Sequence, residues 1–124
     1  MVRSVLIVDD NAFVRKALCE MFKREEGFDV CGDAENGREA IAKALGLRPD
    51  LIVLDLSMPV MNGLDAARVL KRLMPAVTLI MYSAFGDRYV EHQARLIGVA
   101  ALISKAAPPT ALVAEARSLT QSAA

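Results

Sequence analysis

The sequence predicts an α/β fold built on a parallel sheet with helices on both faces. Five short aliphatic runs alternate with five stretches of helical periodicity, and the connections between them are short. That alternation is the mark of βαβ units, whose right-handed crossovers cover both faces of the sheet. Four of the runs also stop abruptly at polar residues capable of chemistry: Asp9-Asp10, Asp55, Ser83 and Lys105.

Val5-Leu6-Ile7-Val8 reads as a buried strand and runs straight into the acid pair. Phe13, Val14, Ala17, Leu18, Met21 and Phe22 recur at i, i+3, i+4 spacing, which predicts an amphipathic helix closed by Gly27 in the C-cap role. Phe28 to Ala34 is a weaker, more polar strand of the kind found at a sheet edge. Asn36 with Glu39 three residues on resembles a capping box, and Ala40, Ile41, Ala44 and Leu45 form the inward stripe of a helix ended by Gly46.

Leu51 to Leu54 is an unbroken apolar run, as expected for a strand covered on both faces, and Asp55 ends it. Asn62 caps the next helix, which carries Leu64, Ala67, Leu70 and Leu73 and cannot pass Pro75. Thr78 to Tyr82 is the fourth strand and leads into Ser83. Asp87 caps a helix bearing Val90, Ala94 and Ile97 and closed by Gly98. Ala101 to Ile103 is the fifth strand, with Lys105 just past its end. Pro108-Pro109-Thr110 opens a last helix with Leu112, Val113, Ala116 and Leu119 inward, and residues 121–124 read as a frayed end.

With 124 residues, 54% of them hydrophobic and 24% charged, the chain suits a single domain spanning residues 1–124. A chain of this size buries roughly two-thirds of its extended surface on folding. Fifteen basic and fifteen acidic residues cancel, and no basic block marks a nucleic-acid surface. The apolar runs are too short for a transmembrane helix or a signal peptide. Cys19 and Cys31 sit in no ligand spacing and read as reduced thiols in apolar surroundings, and His92 reads as a solvated helix residue. These features together predict a cytoplasmic location.

In a parallel sheet all C-terminal strand ends lie on one edge, so the acid pair, Asp55, Ser83 and Lys105 converge. Two carboxylates about 4 Å apart repel by roughly 4 kcal/mol at an effective dielectric of 20. Three acids beside one lysine are under-compensated, and a divalent cation would relieve them. An all-oxygen ligand set favours Mg²⁺, or Mn²⁺, over zinc. The same set suits phosphoryl transfer: a carboxylate is the nucleophile, and Lys105 with the metal neutralises the transferred group. Neither a GxxxxGKS/T nor a GxGxxG cradle is present, so the phosphoryl group is expected from a donor other than bound ATP.

VDD after the first strand, DLSMPVMNG around the third, Ser-Ala after the fourth and Lys after the fifth together resemble a two-component response regulator receiver domain of the CheY-like kind, nearly end to end. The resemblance implies a doubly wound, flavodoxin-like sheet of order 2-1-3-4-5. It implies that Asp55 is the phospho-acceptor and that Asp10, Asp55 and the backbone carbonyl of Ser57 ligate Mg²⁺, with Asp9 acting through water. Lys105 would pair with the phosphoryl group and Ser83 would move to hydrogen-bond it. The implied donor is a sensor histidine kinase, replaceable by small acyl phosphates. Such a chain catalyses only its own phosphorylation and dephosphorylation.

Receivers usually carry Tyr or Phe where this chain has Leu102, and many have proline where Ala106 follows the lysine. The rotamer switch attributed to that aromatic cannot operate here as usually drawn. Phe13 falls on the family's kinase-docking face, although its spacing equally fits the core. The tail SKAAPPTALVAEA is similar to receivers that precede LuxR-type helix-turn-helix domains. DNA contact is thus expected only through an output domain absent from this chain, and activation either drives homodimerisation or exposes a docking face. Two alternatives compete: a Mg²⁺-dependent aspartyl-phosphate phosphatase of the haloacid-dehalogenase kind, and a receiver-like binding module that is never phosphorylated. The first would carry Asp-x-Asp-x-Thr/Val at the first strand, where Asp9-Asp10-Asn11 stands. The second fits poorly with an intact acid set.

Overall fold

In the computed structural model, which describes residues 2–84 and 87–121, strand and helix alternate throughout. The elements are β1 (Arg3–Val8), α1 (Ala12–Arg24), β2 (Phe28–Ala34), α2 (Gly37–Leu47), β3 (Leu51–Leu54), α3 (Gly63–Leu73), β4 (Thr78–Ser83), α4 (Arg88–Ile97), β5 (Ala101–Ser104) and α5 (Pro109–Gln121). All strand pairs are parallel, in the order β2-β1-β3-β4-β5. The tail 122–124, expected to fray, lies outside the described residues.

Successive residues of a strand point to opposite faces, and the core divides accordingly. Leu6, Val8, Ile52, Leu54, Leu79 and Met81 pack on the side of α2 and α3. Val5, Ile7, Leu51, Val53, Ile80 and Tyr82 pack on the side of α1 and α5. β1 after Ser4 and all of β3 are buried, which explains their continuous apolar runs. At one edge, β5 is only half-buried along Ala101–Ile103 and exposed at Ser104. At the other, β2 carries a bulge: Val5 pairs with Val30 and Leu6 with Gly32, leaving Cys31 unmatched. The Cys31 thiol donates instead to the Val5 carbonyl at 3.4 Å, and both cysteines are free.

Asn36, Asn62 and Asp87 cap α2, α3 and α4 through their side chains, and Gly98 ends α4 in the left-handed region at φ 104°. Asn11 caps α1, accepting from the amides of Phe13 and Val14. Other boundaries differ from the sequence pattern. α1 stops at Arg24, so Gly27 shapes the following turn at φ 91°. α2 passes Gly46 and ends with Arg48 in the left-handed conformation. The buried stripe of α1 is Leu18, Cys19 and Phe22, with Val14 and Met21 half-buried. Phe13, 88% exposed, and Ala17 lie on the outer side instead. Leu45 and Leu73 sit at the rims of their helices and remain partly exposed. His92 is exposed, and among the described residues no helix is long and apolar enough to cross a membrane.

Candidate functional site: an acid cluster at the strand ends

Asp55 directly follows β3, and its amide donates to the Val8 carbonyl at 2.9 Å, continuing the ladder with β1. The chain then turns back sharply. The Gly63 amide donates to the Leu56 carbonyl at 2.7 Å, and Asn62 caps α3 beside it. The loop crosses so close to the strand end that a Cβ on Gly63 would stand 2.3 Å from the Asp55 carbonyl oxygen. Asp55 is thereby held at the end of a rigid central strand, 5% exposed.

Asp9, 1% exposed, lies beside it at the end of β1, while Asp10 faces solvent. One oxygen from each of Asp9, Asp10 and Asp55 falls within 4.8 Å of the others. Lys105 reaches in from the end of β5. Its ammonium donates to Asp9 Oδ2 at 2.9 Å and lies 3.4 Å from Asp55 Oδ1. The Lys105 amide donates to the Ser83 carbonyl at 2.8 Å, which ties the ends of β4 and β5 together beside the acids. Ser83 itself is buried.

Burial raises the Asp55 pKa from 3.8 to about 6, with the neighbouring charge of Asp9 adding to it and Lys105 opposing it. At neutral pH the carboxylate is therefore largely ionised and nucleophilic. Burial works against the charged form of Lys105. The hydrogen bond to Asp9 and the charges of Asp55 and Asp9 outweigh it, so the lysine pKa ends above its ordinary value. The ammonium already occupies part of the acid cluster as a cation. Three carboxylates with no nitrogen or sulfur donor make a hard set, which fits a divalent ion such as Mg²⁺.

The sheet thus brings together Asp9, Asp10, Asp55, Ser83 and Lys105. Ser57 lies exposed in the loop after β3. Phe13 lies two residues past the cap Asn11, away from the core. Leu102 pairs with Met81 across the β4–β5 ladder and packs half-buried on the α3 side. The Lys105–Ala106 peptide is trans.

A family model described as "Response regulator receiver domain" matches residues 5–117. The chain belongs to the response regulator receiver family. The receiver is 38% identical to the chemotaxis protein CheY of Thermotoga maritima, over 91% of this chain and 93% of that protein. It is 46% identical to a protein-glutamate methylesterase/protein-glutamine glutaminase of Pyrococcus abyssi, over 70% of this chain but only 23% of that longer protein. A chain in the crystal structure of the CheX-CheY-BeF3-Mg complex from Borrelia burgdorferi superimposes with a TM-score of 0.89 at 28% identity, covering 95% of this chain and 89% of that one. The receiver therefore serves two-component phosphorelay signalling, as a CheY-like switch. Receiver domains bind Mg²⁺ and accept phosphate from histidine kinases, and the acid cluster here could hold such a metal. This membership decides against the phosphatase alternative.

Sequence patterns did not single out Arg15, whose guanidinium donates to the Asp9 carbonyl at 2.8 Å and to Asp33 Oδ2 at 2.9 Å. Its position within a helix that also carries Lys16, Lys23 and Arg24 makes it look like one more solvated cation. Only the packing of α1 against β2 distinguishes it.

Proposed function

We propose that Asp55 is the phospho-acceptor of this receiver. The observation that carries the reading is the Lys105 ammonium lying against both Asp9 and Asp55, with Asp55 ionised at the end of the central strand. An Asp55 carboxylate oxygen attacks the phosphorus of a histidine kinase's phosphohistidine. The new O–P bond forms as the P–N bond breaks, and the electron pair returns to the imidazole. Lys105 neutralises the arriving oxygens and Ser83 moves to donate a hydrogen bond to them. Asp10, Asp55 and the Ser57 carbonyl would hold Mg²⁺, or Mn²⁺ in its place, and Asp9, already engaged by Lys105, would act through water. When bound, the metal supplies positive charge to the transferred group.

In this reading residues 1–124 form one cytoplasmic receiver domain that catalyses only its own phosphorylation and dephosphorylation. Phe13, exposed in the first turn of α1, contributes to docking the kinase. The outgoing change follows Ser83 through β5 and α4 as a shift in population, without the aromatic switch residue whose place Leu102 takes. It ends in homodimerisation or in exposure of a face for an output partner, with DNA reached only through a separate output domain.

Acetyl phosphate with Mg²⁺ is expected to add the mass of one phosphoryl group to the intact protein, and chelation by EDTA to prevent it. An unmodified mass under saturating donor and metal would sink the phospho-acceptor assignment. Asp10→Asn is expected to weaken Mg²⁺ at least tenfold in a calorimetric titration, since it removes one of few charged ligands. An unchanged isotherm would remove the acid pair from the metal site.

A further inference from the structure

Asp9 is anchored at almost every polar atom. Its amide donates to the Ala34 carbonyl at 3.1 Å, Oδ1 accepts from the Asn11 amide at 2.9 Å, and Oδ2 accepts from Lys105. The remaining group is the carbonyl of the peptide that joins Asp9 to Asp10, and it accepts from Arg15 Nη1 at 2.8 Å. Arg15 is itself fixed from the far side. Its Nε donates to Asp33 Oδ2 at 2.9 Å, and the Asp33 carbonyl in turn accepts from Lys43. The Arg15 side chain is only 18% exposed, so the bonds stand in a partly dry setting where charge assistance counts. Asp10, by contrast, is exposed, and the orientation of the Asp9–Asp10 peptide sets where its carboxylate begins.

We propose that Arg15 is a positioning residue for the metal site: its forked grip on the Asp9 carbonyl and Asp33 holds the Asp9–Asp10 peptide so that Asp10 faces Asp55. This rests on the reading of the acid cluster as the Mg²⁺ site. Two effects of Arg15 on a dication have opposite signs. As a bare positive charge near three carboxylates it repels the ion, so its removal should tighten binding. As a positioning group it preorganises a ligand, and loss of such outer partners typically costs about 10–100-fold in metal affinity. The sign of the change therefore reveals which role dominates.

The test is calorimetric titration with Mg²⁺ alone, run on wild type, Arg15→Ala, Arg15→Lys and Lys16→Ala, each checked for a cooperative melt. Arg15→Ala is expected to bind about tenfold more weakly. Arg15→Lys keeps the charge, but one ammonium cannot span both acceptors, so it is expected to weaken binding several-fold. Lys16→Ala removes an exposed cation one position along the same helix and is expected to leave affinity unchanged or slightly tighter. Binding by Arg15→Ala as tight as wild type or tighter overturns the proposal. If that variant does not fold, wild-type affinity in Arg15→Lys overturns it equally. Asp10→Asn separates the two levels of inference. If it binds like wild type, the metal-site reading fails. If it binds weakly while both Arg15 variants bind normally, only the role of Arg15 fails.

Discussion

Asp55→Asn is expected to take up no phosphoryl group from acetyl phosphate and, without metal, to be more stable than the wild type. The first result follows from chemistry, since an amide oxygen is not a competent nucleophile toward phosphorus and the other acids are differently placed. Asp9 has both carboxylate oxygens occupied by Lys105 and the Asn11 amide. Asp10, though part of the cluster, is solvent-exposed and follows β1 where Asp55 follows the central β3. An adduct of undiminished yield on the variant would move the acceptor to another residue. The second result follows from the raised pKa. In the unfolded chain Asp55 loses its proton near 3.8, and in the folded chain near 6. The folded state therefore holds the extra proton between those values, and stability falls as pH rises through that window. Above it the ionised side chain costs the apo fold about 3 kcal/mol, taking 1.4 kcal/mol per pKa unit. Asparagine removes that cost, so melts of wild type and variant should converge near pH 4 and separate by pH 7. Equal stability at pH 7 would mean that the charge is already relieved in the apo protein.

Gly63→Ala is expected to destabilise the receiver by about 3 kcal/mol or more, beyond the usual range for adding one methyl group to a packed site. The new Cβ would meet the Asp55 carbonyl oxygen at 2.3 Å, the Leu56 Cα at 2.8 Å and the Asp55 carbonyl carbon at 3.0 Å. All three are backbone atoms of a segment pinned to β1 by the Asp55–Val8 hydrogen bond, so no side chain can swing aside. Relief requires moving either α3 or the strand end that carries Asp55, and phosphorylation should slow along with the loss of stability. Gly46→Ala is the matched control. It lies within α2, nothing stands within 4 Å of its Cβ, and helix propensity alone favours alanine by up to about 1 kcal/mol. Denaturant melts of the two variants should shift in opposite directions. A Gly63→Ala melt within about 1 kcal/mol of wild type would show that the crossing is not a tight constraint.

Much of this was legible in the sequence because buried parallel strands leave an unmistakable pattern. Leu51–Leu54 and Val5–Val8 have no polar residue to confuse the reading, and whatever ends them must stand at the sheet edge. Asp9, Asp10, Asp55, Ser83 and Lys105 were found that way. Phe13 joins the apolar pattern only through its i, i+4 relation to Ala17. At 3.6 residues per turn it falls about 180° round α1 from Phe22, so once Leu18, Cys19 and Phe22 set the buried side it points outward. Helix ends at Gly27 and Gly46 were misplaced because glycine marks a turn without saying which residue of it takes the left-handed conformation. At Arg48 a non-glycine residue takes it instead. Arg15 escaped notice because its partners are a main-chain carbonyl and an acid on a neighbouring strand, relations that no local periodicity encodes.

The burial of the strands divides the site unequally. The acids Asp9 and Asp55 extend from β1 and β3, which lie in the middle of the sheet with a paired strand on each side. Lys105 extends from β5, an edge strand joined to the sheet on one side only and half-open to water. The two buried acids are thus anchored to the stiff centre, while their counter-ion rides on the compliant margin. If Asp55 is the acceptor, as proposed, a new charge there can displace Lys105 and β5 while the centre of the sheet stays still. Amide exchange should follow the same gradient, fastest in Ala101–Ser104 and slowest in Leu51–Leu54.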